Sequence, residues 1–157
     1  MKYKIIPYTC AGPISFGMTK KEVRLAVGKP LRVSKTYFGI KTFIYEELNV
    51  GFSKSSGLVN HLGFNESSDI YIGRINVFKE PNAFKKLLSI DGDPYEHVGF
   101  IVLLNLGISL TGFHNKDDKT IAAFAKGEND DIMQKGKPLN LSRLRRGLLI
   151  FQHKTFF

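Results

Sequence analysis

Residues 20–30 read KKEVRLAVGKP and are followed, at residues 41–52, by the alternating stretch KTFIYEELNVGF. The same order returns further along, where NAFKKLLSIDGDP at 82–94 precedes GFIVLLNLGISLTGF at 99–113. Each copy is a short apolar helical stripe stopped by Gly-x-Pro and followed by strands. The repeat predicts an α+β protein of two tandem units, each a short helix packed on a small antiparallel sheet.

The first helix has clear signals at both ends. Thr19 and Glu22 have the spacing of a capping box, in which each side chain bonds the other residue's backbone N–H. Val23, Ala26 and Val27 then form the predicted apolar stripe, and Gly28 ends the helix. Because the helix is so short, its stability must come from packing on the sheet.

The second helix follows the same plan, beginning near Asn82. Its predicted buried stripe is Phe84, Leu87 and Leu88, and Gly92 ends it as Gly28 ends the first helix. The polar stretch 53–57 is predicted to be a hairpin loop. The run 99–113 is apolar for most of its length and should form the most buried hairpin, with Gly107 and Gly112 marking a bulge or a close backbone approach.

The domain organisation follows from these elements. We expect one compact domain over residues 1–157, with a first unit at 14–69 and a second at 70–128. The stretch 70–78 is predicted to be a further strand or a linker. Residues 129–137 are predicted to be a linker into a basic C-terminal tail spanning 129–157.

The formal net charge of +9 is unevenly distributed. No acidic residue follows Asp131, whereas six basic residues do, so residues 132–157 carry +6 of the +9. A basic tail can hold a phosphate backbone by charge alone. This keeps open an alternative function as an RNA- or DNA-associated protein, binding through a set of five side chains: Lys135, Lys137, Arg143, Arg145 and Arg146.

A single cysteine, Cys10, excludes an intramolecular disulfide. The apolar stretch before Cys10 is short and broken by Pro7, unlike the core of a signal peptide. No window is long and apolar enough to span a membrane. These features favour a cytoplasmic protein with no membrane association.

Catalytic and metal-binding signatures are absent from the sequence. His61, His97, His114 and His153 are too widely spaced for a helical metal site. Asp91, Asp93, Asp117 and Asp118 lie at predicted turns, where such acids commonly form turn hydrogen bonds. The sequence therefore predicts a binding protein without cofactors or metals rather than an enzyme.

Residues 14–30 carry a family resemblance. ISFGMT at 14–19, with Glu22, Val23 and the Gly28-Lys29-Pro30 stop, resembles the opening of β-lactamase-inhibitor-protein-like and SmpA-like domains. In such families a helical element packs on an antiparallel sheet, often in tandem copies. The resemblance implies that an exposed sheet face holds a protein partner.

The chain also resembles the small cytoplasmic immunity proteins encoded beside bacterial polymorphic toxins, including those of contact-dependent growth inhibition. The resemblance rests on LLSIDGDPYEHVGFIVLLNLGISLTGF at 87–113 and on the lack of enzyme signatures. It implies stoichiometric binding and neutralisation of a cognate toxin domain. Because this chain is basic, the toxin should be acidic where the two proteins meet.

The candidate partner site lies on the sheet of the first unit. Tyrosine suits interfaces because it joins a large apolar area to a polar tip. Glutamates at the predicted hairpin tip would add a charged rim. The predicted partner-binding residues are Tyr37, Phe38, Tyr45, Glu46, Glu47, Phe52 and His61.

Overall fold

A computed structural model describes residues 1–36, 39–115 and 117–139. Within these ranges the protein is α+β, with mostly antiparallel strands and few short helices, as the sequence predicts. The strands are β1 (Lys2–Ile6), β2 (Cys10–Ala11), β3 (Ile14–Ser15), β4 (Arg32–Lys35), β5 (Lys41–Ile44), β6 (Leu48–Phe52), β7 (Val59–Asn65), β8 (Asp69–Ile72), β9 (Ile75–Asn76), β10 (Tyr95–His97), β11 (Phe100–Leu103), β12 (Ile108–Thr111), β13 (Thr120–Phe124) and β14 (Lys137–Pro138). The helices are α1 (Lys20–Val27), α2 (Ala83–Asp91) and α3 (Ile132–Lys135).

The strands form two sheets. In the described part of the chain, the larger sheet is antiparallel throughout and has nine strands in the order β14-β10-β11-β12-β13-β7-β6-β5-β4. The smaller sheet has the order β3-β2-β1-β8-β9, and its β1–β8 pair is parallel. The stretch 70–78, predicted to be a strand or linker, thus supplies strands that pair with the N-terminal strand.

The larger sheet is continuous across the middle of the chain. Four consecutive strands of this sheet, β4 to β7, follow α1, and four more, β10 to β13, follow α2 before the short β14. The strands β7 and β13 pair antiparallel, with Ala122 opposite Gly63 and Ile121 opposite Phe64. Residues more than fifty positions apart in sequence therefore lie side by side at the centre of one sheet.

The predicted capping box of α1 is present, with Glu22 N–H donating to Thr19 Oγ1 at 3.2 Å. The predicted stripe is wrong at Ala26, which is exposed, whereas Val23 is buried. Lys20 and Arg24, which are one turn apart on the helix, also lie over aromatic rings of the sheet. Their charged groups lie 5.0 Å from the Phe52 ring centroid and 4.7 Å from the Phe43 ring centroid, respectively.

The α2 stripe is buried as predicted, and Gly92 ends the helix in the left-handed conformation. Asp91 is the last residue of α2, and its carboxylate is buried. It accepts hydrogen bonds from the N–H groups of Asn105 and Leu106 at 2.9 and 3.2 Å. Burial raises the pKa of Asp91, and these hydrogen bonds act in the opposite direction. The carboxylate therefore fastens the end of α2 to the turn between β11 and β12.

Residues 129–137 were predicted to be a linker, and this prediction is wrong. They contain α3 and the first residue of β14, which pairs with β10 at the edge of the larger sheet. Ile132 is buried in a small cluster with Tyr95, Val102 and Phe124. One apolar side chain in this polar stretch is enough to dock it on the sheet.

The main core lies on one face of the larger sheet, where α1, α2 and the smaller sheet cover it. Tyr3 of β1 packs on Phe64 of β7, with ring centroids 4.9 Å apart. The apolar run 99–113 contributes completely buried side chains, as predicted: Ile101, Leu103, Ile108 and Leu110.

Candidate partner-binding surface

The opposite face of the larger sheet is exposed over its central strands. Along β7, Leu62 and Phe64 are buried, whereas His61 and Asn65 point to solvent. Paired residues share a face, so the strand register defines the rest of this surface. We call it the open face; its exposed or half-buried members are Arg32, Ser34, Thr42, Ile44, Asn49, His61, Gly63, Asn65, Ser109, Thr111, Thr120 and Ala122.

His61 lies near the middle of the open face, above two glycines. A Cβ atom at Gly51, its cross-strand partner, would lie 3.1 Å from His61 Cβ. A Cβ atom at Gly63 would lie 3.5 Å from His61 Cε1. Because neither glycine has a side chain, the imidazole lies close to the backbone. No side chain at these two positions shields the ring from solvent.

The electrostatic environment keeps the His61 ring neutral. Its outer side is exposed, but the sheet beneath it desolvates the ring and lowers its pKa below the ordinary value; Glu128 acts in the opposite direction. A neutral imidazole offers one N–H donor and one nitrogen acceptor. The centre of the open face is therefore a hydrogen-bonding group without a charge at neutral pH.

The lowered pKa of His61 predicts a pH dependence of stability. Between the folded pKa and the ordinary value near 6.5, the unfolded chain binds the proton more readily, so stability falls as the pH drops through that window. We expect His61→Gln to flatten this slope, and an NMR titration of His61 to give a midpoint below that of a histidine peptide. An equal or higher midpoint would contradict the expected desolvation.

A second apolar cluster covers one end of the same sheet face. It contains Phe124, which pairs with His61 across the strands, together with Val102 and Ile132. Tyr8 closes the cluster, its ring 5.8 Å from the Phe124 ring and its hydroxyl donating to the Leu104 carbonyl. The accessible part of the face consequently runs from β12 through β13 and β7 to β4.

The predicted partner residues lie on different sides of the larger sheet. His61 is on the open face, as a binding role requires. Phe52 is buried in the main core, with its ring 4.8 Å from that of Phe43, so it cannot contact a partner. Tyr45 packs against the helix-covered core, and its hydroxyl donates to the Gly28 carbonyl at 2.9 Å.

The two glutamates lie in the connection between β5 and β6. Glu46 is exposed, and Glu47 is half-buried with its carboxylate 3.8 Å from the Met1 amino group. Glu46 is thus available as a rim residue, whereas Glu47 lies close to the N-terminus. Tyr37 and Phe38 lie outside the described residues.

The alternative nucleic-acid set is only partly described. Lys135 is exposed and forms an ion pair with Asp131 at 2.6 Å, which lowers the pKa of the Asp131 carboxyl. Lys137 is exposed in β14. Arg143, Arg145 and Arg146 lie outside the described residues.

Several open-face residues were missed by the sequence interpretation. Alternation around Leu62 was sufficient to place Gly63 and Asn65 opposite the core. Ala122 and Thr120 needed the pairing of β7 with β13, which no local pattern indicates. Small and polar side chains also attract less attention than the aromatic residues that were chosen.

Across 1–36, 39–115 and 117–139, no group of three or more His, Cys, Asp or Glu side chains is arranged to hold a metal ion. In the same ranges, no helix has the length and apolar character needed to cross a membrane.

The class of this protein is defined by its fold and by the open face. These two features define the class as an α+β protein with a broad, exposed antiparallel sheet face. No protein-family model matches the chain, and searches of curated proteins and of solved structures also give no match.

Proposed function

We propose that this protein is a bacterial immunity protein that neutralises a cognate toxin domain by stoichiometric binding, without catalysing a reaction. The observation that carries the proposal is the open face, an exposed sheet surface of small and polar side chains centred on His61. Strand backbones hold such a surface rigid, which reduces the entropy lost on binding. The resemblance of residues 87–113 to immunity proteins supports the choice of a toxin as partner.

The dimensions of the open face suit a protein partner. Its six strands, from β12 to β4, are separated by five spacings of about 4.8 Å, which gives a width of about 24 Å. A standard interface buries about 800 Å² on each partner, a patch about 28 Å on a side. The open face would therefore supply most of one interface, with rim residues such as Glu46 completing it.

The proposal includes the tandem architecture. We take α1 with β4–β7 and α2 with β10–β13 as the two units, since each is a helix followed by four consecutive strands. The units would meet at their last strands, β7 and β13. Such a junction places the middle of the open face at the boundary between the units, and we propose that the protein acts there in the cytoplasm of the toxin-producing cell.

Co-expression with the product of the adjacent gene tests this function. The proposal predicts a one-to-one complex by size-exclusion chromatography with light scattering, and survival of cells that express the toxin domain only when this chain is present. Failure of the two proteins to associate at micromolar concentration would overturn it. Co-purification of nucleic acid in a salt-sensitive manner would instead support the alternative function of the basic tail.

A further inference from the structure

Among the described residues, the backbone groups on the outer edge of β4 have no hydrogen-bond partner. This strand ends the larger sheet and, in the described part of the chain, pairs only with β5. Thr36 N–H donates to the Ile40 carbonyl at 2.9 Å, which sets the alternation of the antiparallel ladder. By that alternation, the N–H and C=O groups of Val33 and Lys35 point outward, away from β5.

The same edge exposes apolar side chains. Leu31, Val33 and Ile40 retain 75%, 51% and 37% of their accessible surface. An exposed edge strand with apolar side chains is a template for pairing with another strand. Val33 carries outward backbone groups, and Leu31 lies just before it on the chain. One added strand would therefore contact both side chains.

The charge around β4 selects among possible occupants. From residue 23 to residue 45 the chain has five basic residues and no acidic one. Lys35 lies directly opposite Lys41 on β5, and like charges in this position destabilise a strand pair. A carboxylate beside the two ammonium groups would relieve their repulsion.

This charge disfavours the two occupants that the chain itself could offer. The C-terminal tail has no acidic residue beyond Asp131, so like charges would face each other if it lay along β4. A second copy paired edge to edge would likewise bring the basic residues of two β4 strands together. An acidic segment of another protein would form hydrogen bonds with the backbone groups, contact the apolar side chains and place a carboxylate beside the lysine pair.

We infer that β4 is a docking edge for an extended acidic segment of a partner protein, which adds a tenth strand to the larger sheet. Backbone hydrogen bonds to Val33 and Lys35 would supply affinity, as in other cases of strand addition. Arg32, Lys35 and Lys41 would supply the preference for acidic side chains. The outward backbone groups of β4 are distinct from the side chains of the open face, and the inference does not depend on the identity of a toxin.

A peptide of alternating glutamate and valine, blocked at both ends and labelled with a fluorophore, is the probe for this edge. We expect the full-length protein to bind it at least tenfold more tightly than the matched peptide of alternating lysine and valine, measured by anisotropy at low salt. Equal affinities for the two peptides, or no binding of either at millimolar concentration, would overturn the inference.

Substitutions at Val33 test whether the backbone edge is used. Val33→Pro removes an outward N–H while leaving the ladder to β5 in place, a position where an edge strand tolerates proline. We expect at least a fivefold loss of peptide affinity, whereas Val33→Thr, of similar shape and with its N–H intact, should bind as the parent does. Ala122→Arg, on the open face, should leave peptide binding unchanged; an equal loss in all three variants would contradict edge docking.

Hydrogen exchange of the free full-length protein identifies competing occupants. The Val33 and Lys35 amides should exchange rapidly and become protected when the acidic peptide is added. Protection in the free protein that is independent of concentration would assign the edge to the tail, and concentration-dependent protection would assign it to a second copy. An oligonucleotide could also displace the peptide and bind the Val33→Pro variant as well as it binds the parent protein. That result would assign the basic side chains to nucleic-acid binding. Each of these three results overturns the inference.

Discussion

Replacing Gly112 with alanine is expected to lower the free energy of unfolding by about 2 to 5 kcal/mol. The residue has a φ of +78°, where a Cβ atom costs about 1 to 2 kcal/mol. The added Cβ would also lie 2.6 Å from the Asp117 carbonyl oxygen, a backbone atom that cannot move without shifting the loop. Overpacking of this kind costs about 1 to 3 kcal/mol more.

Gly92→Ala is the matched control for Gly112→Ala. Gly92 has the same φ of +78°, but a Cβ atom there would meet no atom within 4 Å. The control should therefore show the backbone cost alone, about 1 to 2 kcal/mol. Urea denaturation of both variants measures the difference, and equal losses would show that the loop after β12 yields to the added methyl group.

Gly112 also illustrates which parts of the fold the sequence predicts. A glycine within an apolar hairpin indicated a close backbone approach, and the structure has one. The capping box at Thr19 and Glu22 and the helix stop at Gly92 were predicted correctly for a similar reason. Each depends on the conformation or hydrogen bonds of residues within a few positions of one another, so local spacing is sufficient.

The choice of partner residues shows where residue type misleads. Phe52 was selected because aromatic side chains favour interfaces, although it shares the even positions of β6 with Leu48 and Val50. All three are buried, because alternate residues of a strand face the same side. The period of the strand therefore carried more information than the chemistry of its aromatic residue.

The pairing of distant strands could not be predicted from local patterns. The strand β8 pairs in parallel with β1, and β7 pairs with β13, across more than fifty residues in each case. Amphipathic periodicity identifies a strand and its buried face, but it does not identify the neighbour. The open face depends on the pairing of β7 with β13. Its centre could therefore be located only from the structure.

Replacing Ala122 with arginine is expected to weaken the proposed toxin complex at least a hundredfold. Ala122 lies at the middle of the open face, between Gly63 on β7 and Ser109 on β12. An arginine there would project well above its low neighbours and hold a partner away from the sheet. If the partner still closed over it, removing water from the guanidinium would cost several kcal/mol, and each 1.4 kcal/mol reduces affinity about tenfold.

Ile90→Arg provides the matched control because it introduces the same side chain on α2, which packs on the covered face of the sheet. Ile90 retains 58% of its accessible surface, so the substitution should change neither folding nor binding. Calorimetric titration of the purified partner into each variant gives the two affinities, and thermal denaturation shows whether each variant is folded. Tight binding by a folded Ala122→Arg protein would place the toxin elsewhere, and the free edge at β4 would then be the next surface to test.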